Sequence, residues 1–291
     1  MKVTVVTPSY NQSVFIEDNL ESVRAQKHPC VEHWVIDGGS DDGTVDTLEQ
    51  FSRKTRSDED YDLKWISEPD RGQSHAINKG FERAEGDIVG WLNSDDMYFD
   101  VETLRAVERA FRQSGEKVVY GDNVLVGPDN TLLRVDHKYD FSPERLLRSC
   151  YICQPALFFR RQVIENHRLD ESLEYVMDYE FWLRLSTEYE FYHLDRILAA
   201  DRNHPNRKMI TNRQALIPER ESVQKAHGQA FGQGYWLGRM ADKAYSAWNR
   251  LRGVLTAEKT IRRTDLAFPL RVDTQRDVLK RQLFANNMEL I

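Results

Sequence analysis

Two adjacent carboxylates, Asp95 and Asp96, close the apolar run Ile88-Val89-Gly90-Trp91-Leu92. Neighbouring acids repel, and they stay ionised at low cost only where water, hydrogen-bond donors or a cation compensates them. The run is short, β-branched at its start and preceded by Gly86-Asp87, so it reads as a buried strand with the acids at its mouth. Three earlier apolar runs also end in polar loops, at 7–11, 37–42 and 68–73. A positively charged group belongs beside these acids.

The elements that must position them follow from the periodicity. Val3 to Thr7 is β-branched and broken by Pro8-Ser9-Tyr10-Asn11. Ser13 can cap a helix carrying Phe15, Ile16, Leu20 and Val23. "HWVIDGGSDDGT" and "LKWISEPDRGQ" repeat the strand-then-loop pattern, each followed by an amphipathic helix. Short β-α-β-α connections imply a largely parallel sheet covered on both faces, and in such sheets ligands bind beyond the carboxyl ends of the strands. The four loops collect on that edge. From 117 to 200 the pattern is less regular. "KVVYGDNVLV" and "LLRVDHKY" read as antiparallel strands about a turn at 127–130, "CQPALFFRR" as a buried strand, "VMDYEFWLRLS" as a helix and "YEFYHL" as a strand. Beyond residue 211 the chain is helix-compatible, with breaks expected near Pro218 and Pro269.

The 291 residues allow one large domain or a domain with an appendage, and 40% hydrophobic with 30% charged residues suits a globular protein. A net charge of −7 argues against a broad nucleic-acid-binding surface. Cys30, Cys150 and Cys153 form no disulfide framework and suit a cytoplasmic setting. A lone C-x-x-C lacks the four ligands of a structural zinc site. The apolar part of the N-terminus is too short for a signal peptide, and no run approaches the roughly 20 residues of a membrane span.

Seven segments, "VVTPSYNQ", "VIDGGSDDGT", "SEPDRGQSHAINKGF", "GDIVGWLNSDD", "QPALFFRR", "MDYEFWLRL" and "RNHPNRKM", occur in an order that resembles inverting family 2 glycosyltransferases. The resemblance covers about 1–210. It implies a GT-A, Rossmann-like α/β fold with a mostly parallel central sheet flanked by helices. The expected catalytic domain is 1–210, with a nucleotide-sugar half to about 115 and an acceptor half over 116–210. Residues 211–291 form a helical extension.

The same resemblance implies a nucleotide diphosphate sugar donor, a glycan or lipid-linked acceptor, and Mn²⁺ or Mg²⁺ on the diphosphate. Asp95 and Asp96 match the metal-binding aspartate motif, with Asp96 the expected direct ligand, and carboxylate oxygens suit those ions. Asn93 stands where relatives often have Asp and can accept from ribose or water. Thr7, Pro8 and Tyr10 match the base-holding motif, and Asp37 the acid that contacts base or ribose. Gly38-Gly39 follows where many relatives have a second Asp. Asp70 and Arg71 follow the third strand, Arg71 offering a fork of donors to phosphate; the plainer alternative is a surface ion pair. Lys79 is expected to face solvent. His204 matches a histidine facing metal and diphosphate, and neutral imidazole is a competent ligand. Arg202, Arg207 and Lys208 could close over phosphates. Asp178 matches the base that deprotonates the acceptor hydroxyl, held ionised by a helix N-terminus. Met177 replaces a frequent Glu beside it. Gln154 and Trp182 are expected on the acceptor side, although Trp182 fits an ordinary core position equally well.

Residues 235–263 carry seven basic residues against two acids. Leu237, Met240, Ala241, Ala244, Trp248, Leu251 and Leu255 share one helical face. Such a helix either packs on the catalytic domain or a second subunit, giving a homodimer, or lies on an anionic membrane surface. The second would place the protein at the inner face of the cell membrane. Two competing functions stay open: a nucleotidyltransferase, which should show a Gly-rich basic loop after the first strand where "TPSYNQ" stands, and a non-catalytic nucleotide-sugar-binding module.

Overall fold

The computed structural model describes residues 1–228, 233–261 and 264–271. Strands β1 (Val3–Ser9), β2 (Val31–Asp37), β3 (Tyr61–Ser67) and β4 (Ile88–Trp91) run parallel in the order β3-β2-β1-β4. Helices α1 (Ile16–Arg24), α2 (Thr44–Thr55) and α3 (Gln73–Arg83) connect them. Strand alternation divides the core between two faces. Val3 and Val5 pack with Ile16, Leu20, Leu48 and Phe51, whereas Val6 packs with Ile77 and Phe81 of α3. The α1 helix starts without the expected Ser13 cap: Phe15 stands at the N-cap, and the Ser13 amide donates to Asp42 at 2.9 Å instead.

The second half adds β5 (Met97–Tyr98), α4 (Thr103–Ser114), β6 (Val118–Val126), β7 (Leu132–Asp136), α5 (Pro143–Arg148) and a 3₁₀ turn at Gln154–Ala156. There follow β8 (Leu157–Arg160), α6 (Arg161–Asn166), α7 (Met177–Leu185) and β9 (Phe191–Arg202). β8 pairs antiparallel with β4, β6 antiparallel with β8, and β9 parallel with β6. The parallel register thus belongs mainly to β1–β4. The last strand pairing matters most for the site. β5 and β9 run antiparallel with Met97 opposite Ala200, which sets the residues just before Met97 beside those just after Ala200. Asp95 and Asp96 thereby meet Asp201 to His204.

Beyond β9 come α8 (Lys208–Thr211), α9 (Arg213–Ala226) and α10 (Gln233–Ile261). The break expected at Pro218 does not occur; Pro218 sits inside α9 on an exposed stretch, where water can satisfy the carbonyl its missing N–H leaves free. The chain past α10 returns to the residues around β5, β6 and β7. Leu266 bridges Asp100, Arg271 bridges Thr131, and Phe268 is buried among Met97, Phe99, Val124 and Val126. Residue 210 is therefore not a break in packing. Of the expected extension, 229–232, 262–263 and 272–291 lie outside the described residues, as do the side chains of Leu251 and Leu255.

Candidate active site

At the β5/β9 junction Asp95 is 19% exposed, and its Oδ2 lies 3.0 Å from His204 Nε2. Asp96 is buried, and its Oδ1 accepts the Arg202 amide at 2.9 Å. Burial, then the charges of Asp95 and Asp201, raise the Asp96 carboxyl well above the ordinary carboxylate range. The accessible carboxylate is thus Asp95 rather than the favoured Asp96. Arg202 does not reach for phosphate. Its side chain is buried, donates to the carbonyls of Asp95 and Pro128, pairs with Asp18 at 2.8 Å and lies over the Phe15 ring. Lys208 is likewise engaged, by Glu174. Arg207 alone of the three faces the acids. It meets Asp201 at 2.6 Å, and the charges of Asp201, then Asp96 and Asp95, raise its pKa against the opposing effect of burial.

The donor loops are organised mostly by their own hydrogen bonds. Asp37 accepts from the amides of Gly39 and Ser40 and from the hydroxyls of Ser40 and Ser67, so both of its oxygens hold the loop together, as in a turn-forming carboxylate. The Thr7 hydroxyl is buried against His33 at 2.9 Å, leaving only backbone there for a nucleotide. Pro8 is buried in β1, while Tyr10 is 63% exposed at the rim. The Asn93 Oδ1 takes the Trp91 indole and the Gln73 amide, which removes the acceptor expected for ribose. Asp70 caps its own loop through the Gly72 amide at 2.8 Å. A Cβ at Gly38 would fall 2.7 Å from Asp70 and 3.4 Å from the Tyr10 ring. Glycine there, in place of the second Asp of the motif, lets these two loops close on one another. Arg71 is exposed and pairs with Glu171 at 2.6 Å, not with Asp70. Lys79 is 13% exposed and meets Glu68 at 2.7 Å, so it does not face solvent freely.

Asp178 is the second residue of α7. It is partly accessible yet enclosed by protein, and burial raises its carboxyl to about 6 against the lowering effects of backbone amides and Arg207. Enclosure therefore outweighs the helix N-terminus that was expected to hold it ionised. Asp201 raises and Arg207 lowers it, and the same two groups act on Asp96. One electrostatic network thus joins the acid pair to Asp178.

The donor set suits a hard divalent ion: carboxylate oxygens, one imidazole, and a buried acid disfavoured without a neighbouring cation. These atoms are not preassembled. Among the described residues, the group that brings three ligand-type atoms within 4.8 Å is Asp122, His137 and Asp195, elsewhere in the acceptor half. Asp122 there already accepts from His137, His193 and the Lys138 amide, which makes it a hydrogen-bond hub.

An Asp pair beside a loop histidine, linked electrostatically through Asp201 and Arg207 to a helix-start Asp, lies on the motifs that carried the resemblance, and the family model described as glycosyl transferase family 2 matches residues 4–179. The chain belongs to that family. Over 96 residues it is 42% identical to TuaG of Bacillus subtilis, a glycosyltransferase named for teichuronic acid biosynthesis, covering 33% of this chain and 36% of that one. S. aureus TarS in complex with UDP-GlcNAc superposes with a TM-score of 0.61 at 19% identity, over 77% of this chain and 65% of that one. A Pyrobaculum calidifontis mannosyltransferase in complex with GDP-Man and Mn²⁺ gives 0.59 at 18% identity, over 89% and 75%. These likenesses establish the GT-A fold. The chain spans about a third of TuaG and about half of the next curated relative it matches.

Of the two residues expected on the acceptor side of this family 2 domain, Trp182 takes the core position that was equally open to it, and Gln154 is turned into the protein. Trp182 is fully buried against Trp91, Phe159 and Phe181, because its place in α7 points it inward. Gln154 is buried and donates to the Trp91 carbonyl, so it braces β4 from below while its own Oε1 has no partner. Two site residues escaped the motif reading. Asp201 looks like one more charge in a polar loop until the β5/β9 pairing sets it beside Asp96. Glu219 of α9 accepts the consecutive amides of Glu174, Tyr175 and Val176 at 2.7, 2.7 and 3.0 Å, holding the backbone that leads into Asp178. Nothing local in the sequence marks it.

Proposed function

We propose that this chain transfers a sugar from a nucleotide diphosphate sugar to a hydroxyl of a glycan or lipid-linked acceptor, with inversion at the anomeric carbon. The observation that carries the reading is the pairing of an Asp95–Asp96–His204 cluster with a separate carboxylate, Asp178, whose pKa of about 6 suits a general base near neutral pH. Asp95, Asp96 and His204 would hold Mn²⁺ or Mg²⁺, which neutralises the diphosphate and stabilises it as leaving group. Tyr10, Asp70 and the glycine turn at 38–39 line the place of the nucleotide. Arg207 supplies positive charge beside the acids, and Asp178 takes the acceptor proton on the opposite side of the sugar. The named pathway of TuaG supports an envelope polysaccharide as product class. The neighbours hold UDP-GlcNAc in one case and GDP-Man in another, so the base is left open.

Asp178→Asn tests the assignment. Thermal shifts with nucleotide sugars, with and without Mn²⁺, should match the parent, while transfer falls by roughly 100-fold or more. Unchanged transfer removes Asp178 from the role, and a product that retains the donor's anomeric configuration removes inversion.

A further inference from the structure

Helix α10 turns its polar side toward the rest of the protein. Asp242 takes Arg145 Nε at 3.1 Å and Arg148 Nε at 3.0 Å, and Asn249 donates to the His137 carbonyl. Gly253 lies so close to β7 that a Cβ there would fall 2.5 Å from the Val135 oxygen. Tyr245 packs at a tilt on Tyr139, with centroids 4.5 Å apart. This docking leaves the opposite side exposed to solvent. Trp236, Leu237, Met240 and Trp248 are 58, 67, 69 and 61% exposed. At 100° per residue these four, with the exposed Ala241 and Ala244, fill one arc roughly 140° wide.

The charges say what covers that arc. Asp242, the acid of α10 whose side chain is described, is turned inward onto two arginines, whereas Arg239 and Lys243 border the arc. An exposed apolar strip with two tryptophans and a basic margin is complementary to an anionic lipid surface: the rings enter the headgroup boundary and the cations meet lipid charge. A second copy would bring the same basic margins against each other. No described helix is long and apolar enough to cross a membrane, so the contact is a surface one.

We propose that α10 seats this protein on an anionic lipid surface through the arc of Trp236, Leu237, Met240 and Trp248. Because α10 packs on α5 and β7, the acceptor half then lies nearest the lipid. The proposal stands independently of the transfer reaction.

Co-sedimentation of the full chain with phosphatidylcholine vesicles, with or without phosphatidylglycerol, tests it. The chain should pellet with the anionic vesicles and be released by high salt. The exposed-site variant Met240→Ser/Trp248→Ser should lower partitioning by roughly tenfold or more with an unchanged thermal melt, and Lys243→Glu should lower it by about fivefold. Equal partitioning of parent and variants, or no preference for anionic vesicles, overturns the proposal. So does a dimer, seen by sedimentation velocity, that Met240→Ser/Trp248→Ser dissociates; that result would assign the arc to a second copy.

Discussion

Burial raises the Asp178 carboxyl to about 6 from an ordinary 3.8, and this has opposite consequences for folding and for reaction. An acid whose folded pKa is raised destabilises the fold wherever it must be ionised. The effect is complete above pH 6, shrinks as the folded protein takes up a proton, and vanishes below 3.8, where both states are neutral. Asp178→Asn should therefore melt higher than the parent at about pH 7, by on the order of 2 kcal/mol given its partial solvent access, and match it at about pH 3.5. The parent's kcat/KM should fall about tenfold per pH unit below about 6. Lower stability of the Asn variant at neutral pH would mean that the carboxylate is held by contacts rather than exposed to a desolvation penalty. At this scale Asp95 and Asp96 drew attention through residue type and place, because two acids set at the end of an apolar run are costly there unless a partner meets them, whereas Asp178 was marked only by the family resemblance. Arg202, Asp37 and Trp182 were not readable in this way, since their side-chain directions depend on Phe15, Ser67 and Trp91, which are distant in sequence.

Elements decide whether those residues act together. The first four strands, their loops and α7 were legible from periodicity, because each carries its own pattern of apolar positions. The β5/β9 pairing was not, since β5 is two residues long and nothing in Met97-Tyr98 announces Ala199-Ala200 as its partner. The role of α9 was hidden for a similar reason. Its Glu219 gathers three successive amides in front of α7, an anion-binding geometry that fixes the start of the helix carrying Asp178. Glu219→Gln keeps one acceptor oxygen and loses the charge. We expect kcat to drop about tenfold, with nucleotide-sugar binding unchanged and a stability loss of about 1–2 kcal/mol. A rise in donor Kd with unchanged kcat would show instead that Glu219 serves the nucleotide half.

Over the whole molecule, among the described residues, two contacts of different chemistry tie the part of the chain past α9 to residues 1–210. One is the ionic and aromatic docking of α10 on α5 and the segment before it, through Asp242 with Arg145 and Arg148 and through Tyr245 on Tyr139. The other is apolar, where Phe268 fills a cluster with Met97, Phe99, Val124 and Val126 directly beneath the β5/β9 junction. That second contact couples the stability of residues 264–271 to the strand pair that assembles the acids. This coupling leads us to expect one cooperative unfolding transition for the described residues, because losing the Phe268 contact opens the same cluster that Met97 and Ala200 share. Phe268→Ala should then lower the midpoint of a single calorimetric transition, with a loss of about 3 kcal/mol, and weaken Mn²⁺ binding in the same preparation. A separate early transition, with the main one unmoved, would instead make the extension an independent appendage on a self-sufficient catalytic domain.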